Sequence, residues 1–262
     1  MENRIDNCFG QLRSEKRKGF IPYICAGDPN LKGTVDLVFA LEKAGADLIE
    51  LGLPFSDPLA DGIVNQLAAQ RALAAGTTIR GVFDCVRNIR KKSQIPIVLY
   101  SYLNPIFQFG ADKFHGEAES VGVDGLLILD LPPEEDVDLS KTNVLHIRLI
   151  APTTPTDRIK KIAKNAKGFL YYVSREGVTG AQDSIAASLP QKIAELQQLS
   201  NLPIAVGFGI SNAKQAREVA RCADAIVVGS AIVDLIAKHG DKPAMIEKVS
   251  AFACEIAHAV HA

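Results

Sequence analysis

Two carboxylates carry the first hint of chemistry in this sequence. The segment Asp47-Leu-Ile-Glu50-Leu-Gly-Leu53 is apolar enough for a strand, and it runs into the loop Pro54-Phe-Ser-Asp57-Pro-Leu-Ala-Asp61-Gly62. Side chains alternate faces along a strand, so Leu48, Glu50 and Gly52 share one face and Ile49, Leu51 and Leu53 the other. The apolar trio suits packing against helices, which turns Glu50 to the inner side, with Gly52 leaving space above it. An ionised carboxylate there is costly unless paired, and a carboxyl with a raised pKa can both give and take a proton near neutral pH. For an isolated buried glutamate a salt bridge is the structural alternative. Asp61 can bring a second carboxylate to the same cavity, or it can cap a helix beginning near Ile63.

A second constellation is rich in glycine. Val206-Gly207-Phe208-Gly209-Ile210-Ser211 and Val228-Gly229-Ser230-Ala231 each close an apolar run, and neither contains Lys or Arg. Glycines let backbone N–H groups approach a ligand, and a helix opening at Ser230 aims its positive end at an anion. The expected ligand is a phosphate held by amides and the Ser230 hydroxyl. A third segment, Ser174-Arg-Glu-Gly177-Val-Thr179-Gly180-Ala181 with its polar continuation to Ser184, reads as a loop long enough to cover a site, or as a plain connector.

These groups must be positioned by something, and the pattern of apolar runs says what. Strands are expected at 21–26, 48–53, 95–100, 125–130, 145–150, 169–174, 203–208 and 225–229, separated by helical stretches such as 31–44, where Val35, Val38 and Leu41 recur and Gly45 supplies the stop. Alternation of eight strands with helices means parallel pairing, and closure gives a (β/α)8 barrel; a doubly wound open sheet is the competing architecture. In such a barrel the C-terminal strand ends carry the active site, where Glu50, the Asp61 loop and the glycine pairs all fall. Gly45-Ala-Asp47, Gly122-Val-Asp124 and Cys222-Ala-Asp224 each precede a strand. These three aspartates sit at the opposite face, so a structural role is expected for them.

The composition narrows the field. Of 262 residues 47% are hydrophobic and 23% charged, and no linker tract divides them, which points to one domain spanning 1–262. Lys plus Arg number 29 against 30 Asp plus Glu, which argues against nucleic-acid binding. The charged N-terminal stretch is unlike a signal peptide and no apolar run is long enough for a membrane span, so a cytoplasmic location is expected. Five scattered cysteines and five scattered histidines form no ligand set, and no metal is expected.

With these residues in view, the chain resembles the tryptophan synthase alpha subunit family. Glu50-Leu-Gly-Leu-Pro-Phe-Ser-Asp-Pro-Leu-Ala-Asp-Gly62 looks like its signature, and the likeness continues through 26–29 (AGDP), 100–106 (YSYLNPI), 129–135 (LDLPPEE), 174–181 (SREGVTGA), 206–211 (VGFGIS) and 228–233 (VGSAIV). The resemblance implies a single TIM barrel with additional N-terminal and C-terminal helices. It implies a lyase that splits indole-3-glycerol phosphate into indole and glyceraldehyde 3-phosphate, with Glu50 as general acid–base and Asp61 near the indole nitrogen. Tyr171, Thr179, Gly180, Phe208, Gly209, Gly229 and Ser230 match positions that shape or contact the substrate site, and Asp28 belongs to a loop facing the beta subunit. No cofactor is implied for this chain; pyridoxal phosphate would reside in the beta subunit of an alpha2beta2 assembly. Three positions depart from the family's usual residues: Ile63 replaces proline, Tyr100 replaces methionine or leucine, and Leu129 replaces proline or alanine. The departures keep open a catalytically silent alpha subunit that acts only as an activator of its partner.

Overall fold

The computed structural model describes residues 3–132, 142–173, 188–207 and 209–262. Eight parallel strands close on themselves in chain order: β1 (Gly19–Cys25), β2 (Ile49–Gly52), β3 (Ile97–Ser101), β4 (Gly125–Ile128), β5 (Leu145–Ile150), β6 (Leu170–Val173), β7 (Ile204–Gly207) and β8 (Ala225–Val228). Closure is made by β8 against β1, with Gly19 opposite Ala225 and Pro22 opposite Val228. That pairing rules out the open sheet.

The helices are α1 (Arg4–Ser14), α2 (Leu31–Lys43), α3 (Ile63–Ala74), α4 (Ile79–Arg90), α5 (Leu103–Phe109) and α6 (Ala111–Val121) in the first half. α7 (Thr156–Asn165), α8 (Leu189–Leu199), α9 (Ala213–Ala220), α10 (Ser230–His239) and α11 (Pro243–His261) follow. α2 starts where Asn30 accepts from the Gly33 amide at 2.8 Å and stops before Gly45, whose φ of 103° an L side chain rarely adopts. All eight strands fall where the apolar runs place them, within two residues at each end. β3 begins two residues late because Pro96 precedes it and has no N–H for the ladder.

Strand alternation builds two apolar layers. Ile49, Leu51, Ile97 and Leu99 face the helices in the larger outer cluster, while Leu48, Val98, Leu127, Ile147 and Ala225 fill the barrel. At the N-terminal end, Ile5, Phe9 and Leu12 of α1 join that inner cluster, and Phe9 meets Phe169 with ring centroids 5.4 Å apart. Glycines make this seat: a Cβ on Gly125 would stand 2.8 Å from Ile5 Cδ1, and one on Gly19 3.0 Å from Leu12 Cδ1. α11, nineteen residues long, packs over α2, α9 and α10.

The three aspartates before strands share one device. Asp47 accepts from the Phe20 amide at 2.8 Å, Asp124 from the Ile97 amide at 2.8 Å, and Asp224 from the Ile204 amide at 2.9 Å. Each carboxylate thereby ties the start of its own strand to the start of the strand before it. Asp124 is also clamped by Arg4 and Arg90, both at 2.8 Å. Their role is structural, as the position at the N-terminal face implies.

Candidate active site

Glu50 projects from the middle of β2 into the barrel and is buried. Burial, and secondly the charge of Asp61, push its carboxyl up to about 8. No cation enters that balance, and among the described residues none forms an ion pair with Glu50, which removes the salt-bridge alternative. A group poised there is protonated at neutral pH yet can release its proton.

Asp61 reaches the same cavity by a different route. The loop after β2 folds back so that the Tyr100 hydroxyl donates to Asp61 Oδ1 at 2.8 Å and the Tyr102 hydroxyl to Oδ2 at 2.7 Å; Asn65 lies at 3.5 Å. Burial raises the Asp61 pKa, and the donors Tyr102, Tyr100 and Asn65 oppose it. The carboxylate caps no helix: α3 opens on Gly62 without a side-chain cap. The capping alternative therefore falls. Ile63 serves as the first residue of α3, exposed to solvent.

Aromatic side chains close in around the two acids. Gly52 leaves no empty space above Glu50, because the Tyr23 ring fills it; a Cβ on Gly52 would lie 2.5 Å from the Tyr23 hydroxyl. Tyr23 in turn meets Tyr100 edge-on, with centroids 5.1 Å apart. Tyr171, on β6, is buried in the inner cluster, and after burial the charges of Glu50 and then Asp61 are what push its phenol upward, which puts it beside both acids. Gly207 provides room for the Tyr171 hydroxyl, 2.7 Å from where a Cβ would stand, so its part is to seat a tyrosine. Leu129 is half-buried and packs on the same inner cluster.

Gly209, with φ 67°, follows β7, and Gly229 followed by Ser230 opens α10 after β8, so these three residues lie at the C-terminal strand ends as expected. Thr179, Gly180 and Phe208, together with the loop 174–184, lie outside the described residues. Asp28, in the loop after β1, has a buried carboxylate held bidentately by Arg71 of α3 at 2.9 and 2.7 Å. Sequence reasoning missed Tyr102 and Tyr23 and met Tyr100 only as a departure. The signal was available in strand parity, since Val98, Tyr100 and Tyr102 are alternate residues and Val98 faces inward. Among the described residues no group of three or more His, Cys, Asp or Glu is arranged to hold a metal.

Comparison with known proteins shows the family to which this fold belongs. Residues 9–261 match the family model described as tryptophan synthase alpha chain. The tryptophan synthase alpha chain of Opitutus terrae is 50% identical over 248 residues, 93% of each chain. The crystal structure of tryptophan synthase subunit alpha from Legionella pneumophila superposes with a TM-score of 0.88 at 38% identity, covering 99% of both chains. A chain of the tryptophan synthase complex from Pyrococcus furiosus does so with a TM-score of 0.84 at 34% identity, covering 92% of this chain and 98% of that one. This TIM barrel, with two buried carboxylates at its mouth, belongs to the tryptophan synthase alpha chain family, the indole-3-glycerol phosphate lyases of tryptophan biosynthesis.

Proposed function

We propose that Glu50 is the general acid–base of this lyase and Asp61 the electrostatic partner of the indole nitrogen. The observation that carries the reading is the division between two buried acids: Glu50 is pushed to about 8 with no cation among the described residues beside it, while each oxygen of Asp61 accepts a hydrogen bond from a phenol. Glu50 protonates the ring carbon that bears the side chain and receives the proton of the adjacent glycerol hydroxyl as the carbon–carbon bond breaks, releasing indole and glyceraldehyde 3-phosphate. Asp61 stays charged and stabilises the positive charge that develops at the indole nitrogen. The chemistry needs no cofactor in this chain; pyridoxal phosphate belongs to the beta subunit.

Tyr171 shapes the cavity beside the two acids, and Gly209, Gly229 and Ser230, with Gly180, receive the phosphate. Thr179 and Phe208 complete the substrate site in this reading. The intact pair of acids favours an active lyase over a silent activator. The whole chain, 1–262, acts as one barrel domain in the cytoplasm, in keeping with five free cysteines and no helix among the described residues long and apolar enough to cross a membrane. Its partner is the beta subunit, in an alpha2beta2 assembly. Leu59, Ile63 and Phe107 are 88%, 65% and 70% exposed on the β2–α3 loop, α3 and α5, which are tied together by the Ala60 amide donating to the Tyr102 hydroxyl. An apolar surface of this kind at a barrel mouth suits a protein partner.

The test is Glu50→Gln. The amide keeps the shape but cannot carry a proton, so cleavage of indole-3-glycerol phosphate should fall by ~100-fold or more with circular dichroism unchanged. Near-normal turnover would remove Glu50 from the chemistry.

A further inference from the structure

We propose that Tyr100 is a positioning residue that fixes the Asp61 carboxylate in one orientation and in its charged form, a role resting on the reading of Asp61 given above. A methionine or leucine at this position would donate no hydrogen bond. Here a phenol stands on β3 directly opposite Gly52, two residues beyond the Glu50–Val98 pair and so on the same face. Its ring has little freedom, because Tyr23 packs edge-on against it at an interplanar angle of 68° and occupies the space Gly52 leaves. Its hydroxyl is thus delivered to Asp61 Oδ1 at 2.8 Å by a strand, not by a loop.

Tyr102 holds the other oxygen at 2.7 Å, and the Ala60 amide donates to the Tyr102 hydroxyl at 3.0 Å, which orients that phenol as well. With one phenol on each oxygen, the carboxylate plane is defined by two separate anchors. Both phenols are pushed upward, by burial first and by the Asp61 charge second, so they remain protonated donors across the working pH range. Two donors, one to each oxygen, match an ionised carboxylate better than a neutral one, whose protonated oxygen is a poor acceptor. Tyr100 also feels the charge of Glu50, so a single side chain lies close to both acids.

The test removes the hydroxyl and keeps the ring. Tyr100→Phe is compared with wild type, and Tyr100→Met serves as a second variant with a flexible apolar side chain in place of the phenol. The Asp61 carboxylate is titrated by carbon-13 NMR of chain labelled at aspartate Cγ, with Asp61→Asn assigning the resonance, while kcat and KM for indole-3-glycerol phosphate cleavage are followed against pH. In both variants the Asp61 midpoint should rise, kcat should fall by about tenfold with KM within about threefold, and the acid limb of kcat should move to higher pH. An Asp61 midpoint unmoved in Tyr100→Phe, with Asp61→Asn inactive, overturns the role of Tyr100 alone. Full turnover by Asp61→Asn overturns the catalytic reading of Asp61 and this role with it.

Discussion

Because Glu50 is buried as an acid, its proton is linked to folding. Its ordinary pKa is 4.5, and in the barrel it is pushed up to about 8, so the unfolded chain releases the proton first as pH rises. Below about pH 4.5 both states are protonated and the neutral carboxyl is at no disadvantage. Between there and about 8 stability falls, with a limiting slope of about 1.4 kcal/mol per pH unit. Glu50→Gln has no such proton, so its melting temperature should gain on the wild type steadily from pH 5 to 8. Parallel melting curves would mean that Glu50 is not shifted. Asp61→Asn keeps shape and loses charge, and its cleavage rate should drop by ~100-fold; a rate within a few-fold of wild type would show that the charge is dispensable. The inward aim of Glu50 was legible because the period-2 pattern of one strand determines it. Strand parity turns Tyr100 and Tyr102 inward too, but their pairing with Asp61 was not legible, since a loop brings residue 61 against them and no local pattern records a contact across that distance.

Strand ends divide the work between the two faces of the barrel. At the N-terminal face Asp124 is buried and clamped by Arg4 and Arg90, and the Arg90 guanidinium is pushed down to about 10, by burial first, despite the pull of Asp124. Asp124→Ala leaves that cation without its carboxylate and the Ile97 amide without its acceptor, at a cost of about 3–5 kcal/mol in urea unfolding. Asp224→Ala should cost far less, about 1 kcal/mol, because its side chain is 38% exposed and its Lys18 partner lies 3.7 Å away. Equal losses for the two would contradict this account of the device. At the C-terminal face, Gly209→Val forces a β-branched residue to φ 67° where phosphate is proposed to bind, so KM for substrate should rise and inorganic phosphate should compete less well. An unchanged KM would count against an anion site there. The strands were readable as apolar runs bounded by turns; Gly207 was not readable as a seat for Tyr171, because a glycine records only that a side chain is missing and not what takes its place.

For the molecule as a whole, the exposed apolar residues at the mouth lie next to the loop that carries Asp61, so a partner covering Leu59 and Ile63 bears on that segment. Titration of the cognate beta subunit into fixed alpha chain should raise indole-3-glycerol phosphate cleavage, with a coupling of ~1–3 kcal/mol, and Leu59→Asp should weaken the complex. A flat titration despite complex formation would show that contact at the mouth does not reach the acids. Sequence patterns favoured closure, which leaves no exposed edge strand, without excluding an open sheet; the pairing of β8 with β1 decides for the barrel. The same closure sets the time at which α1 can find its place. This helix leaves the ribosome before any of the strands it seals, yet the cluster it joins includes Ala225 on the last of them. At about 5–20 residues per second, the apolar side chains of Ile5, Phe9 and Leu12 wait on the order of 10–40 seconds for a complete seat. A surface synthesised ahead of every strand is thus among the last to be covered, and while the barrel is being made its own plug stays undocked.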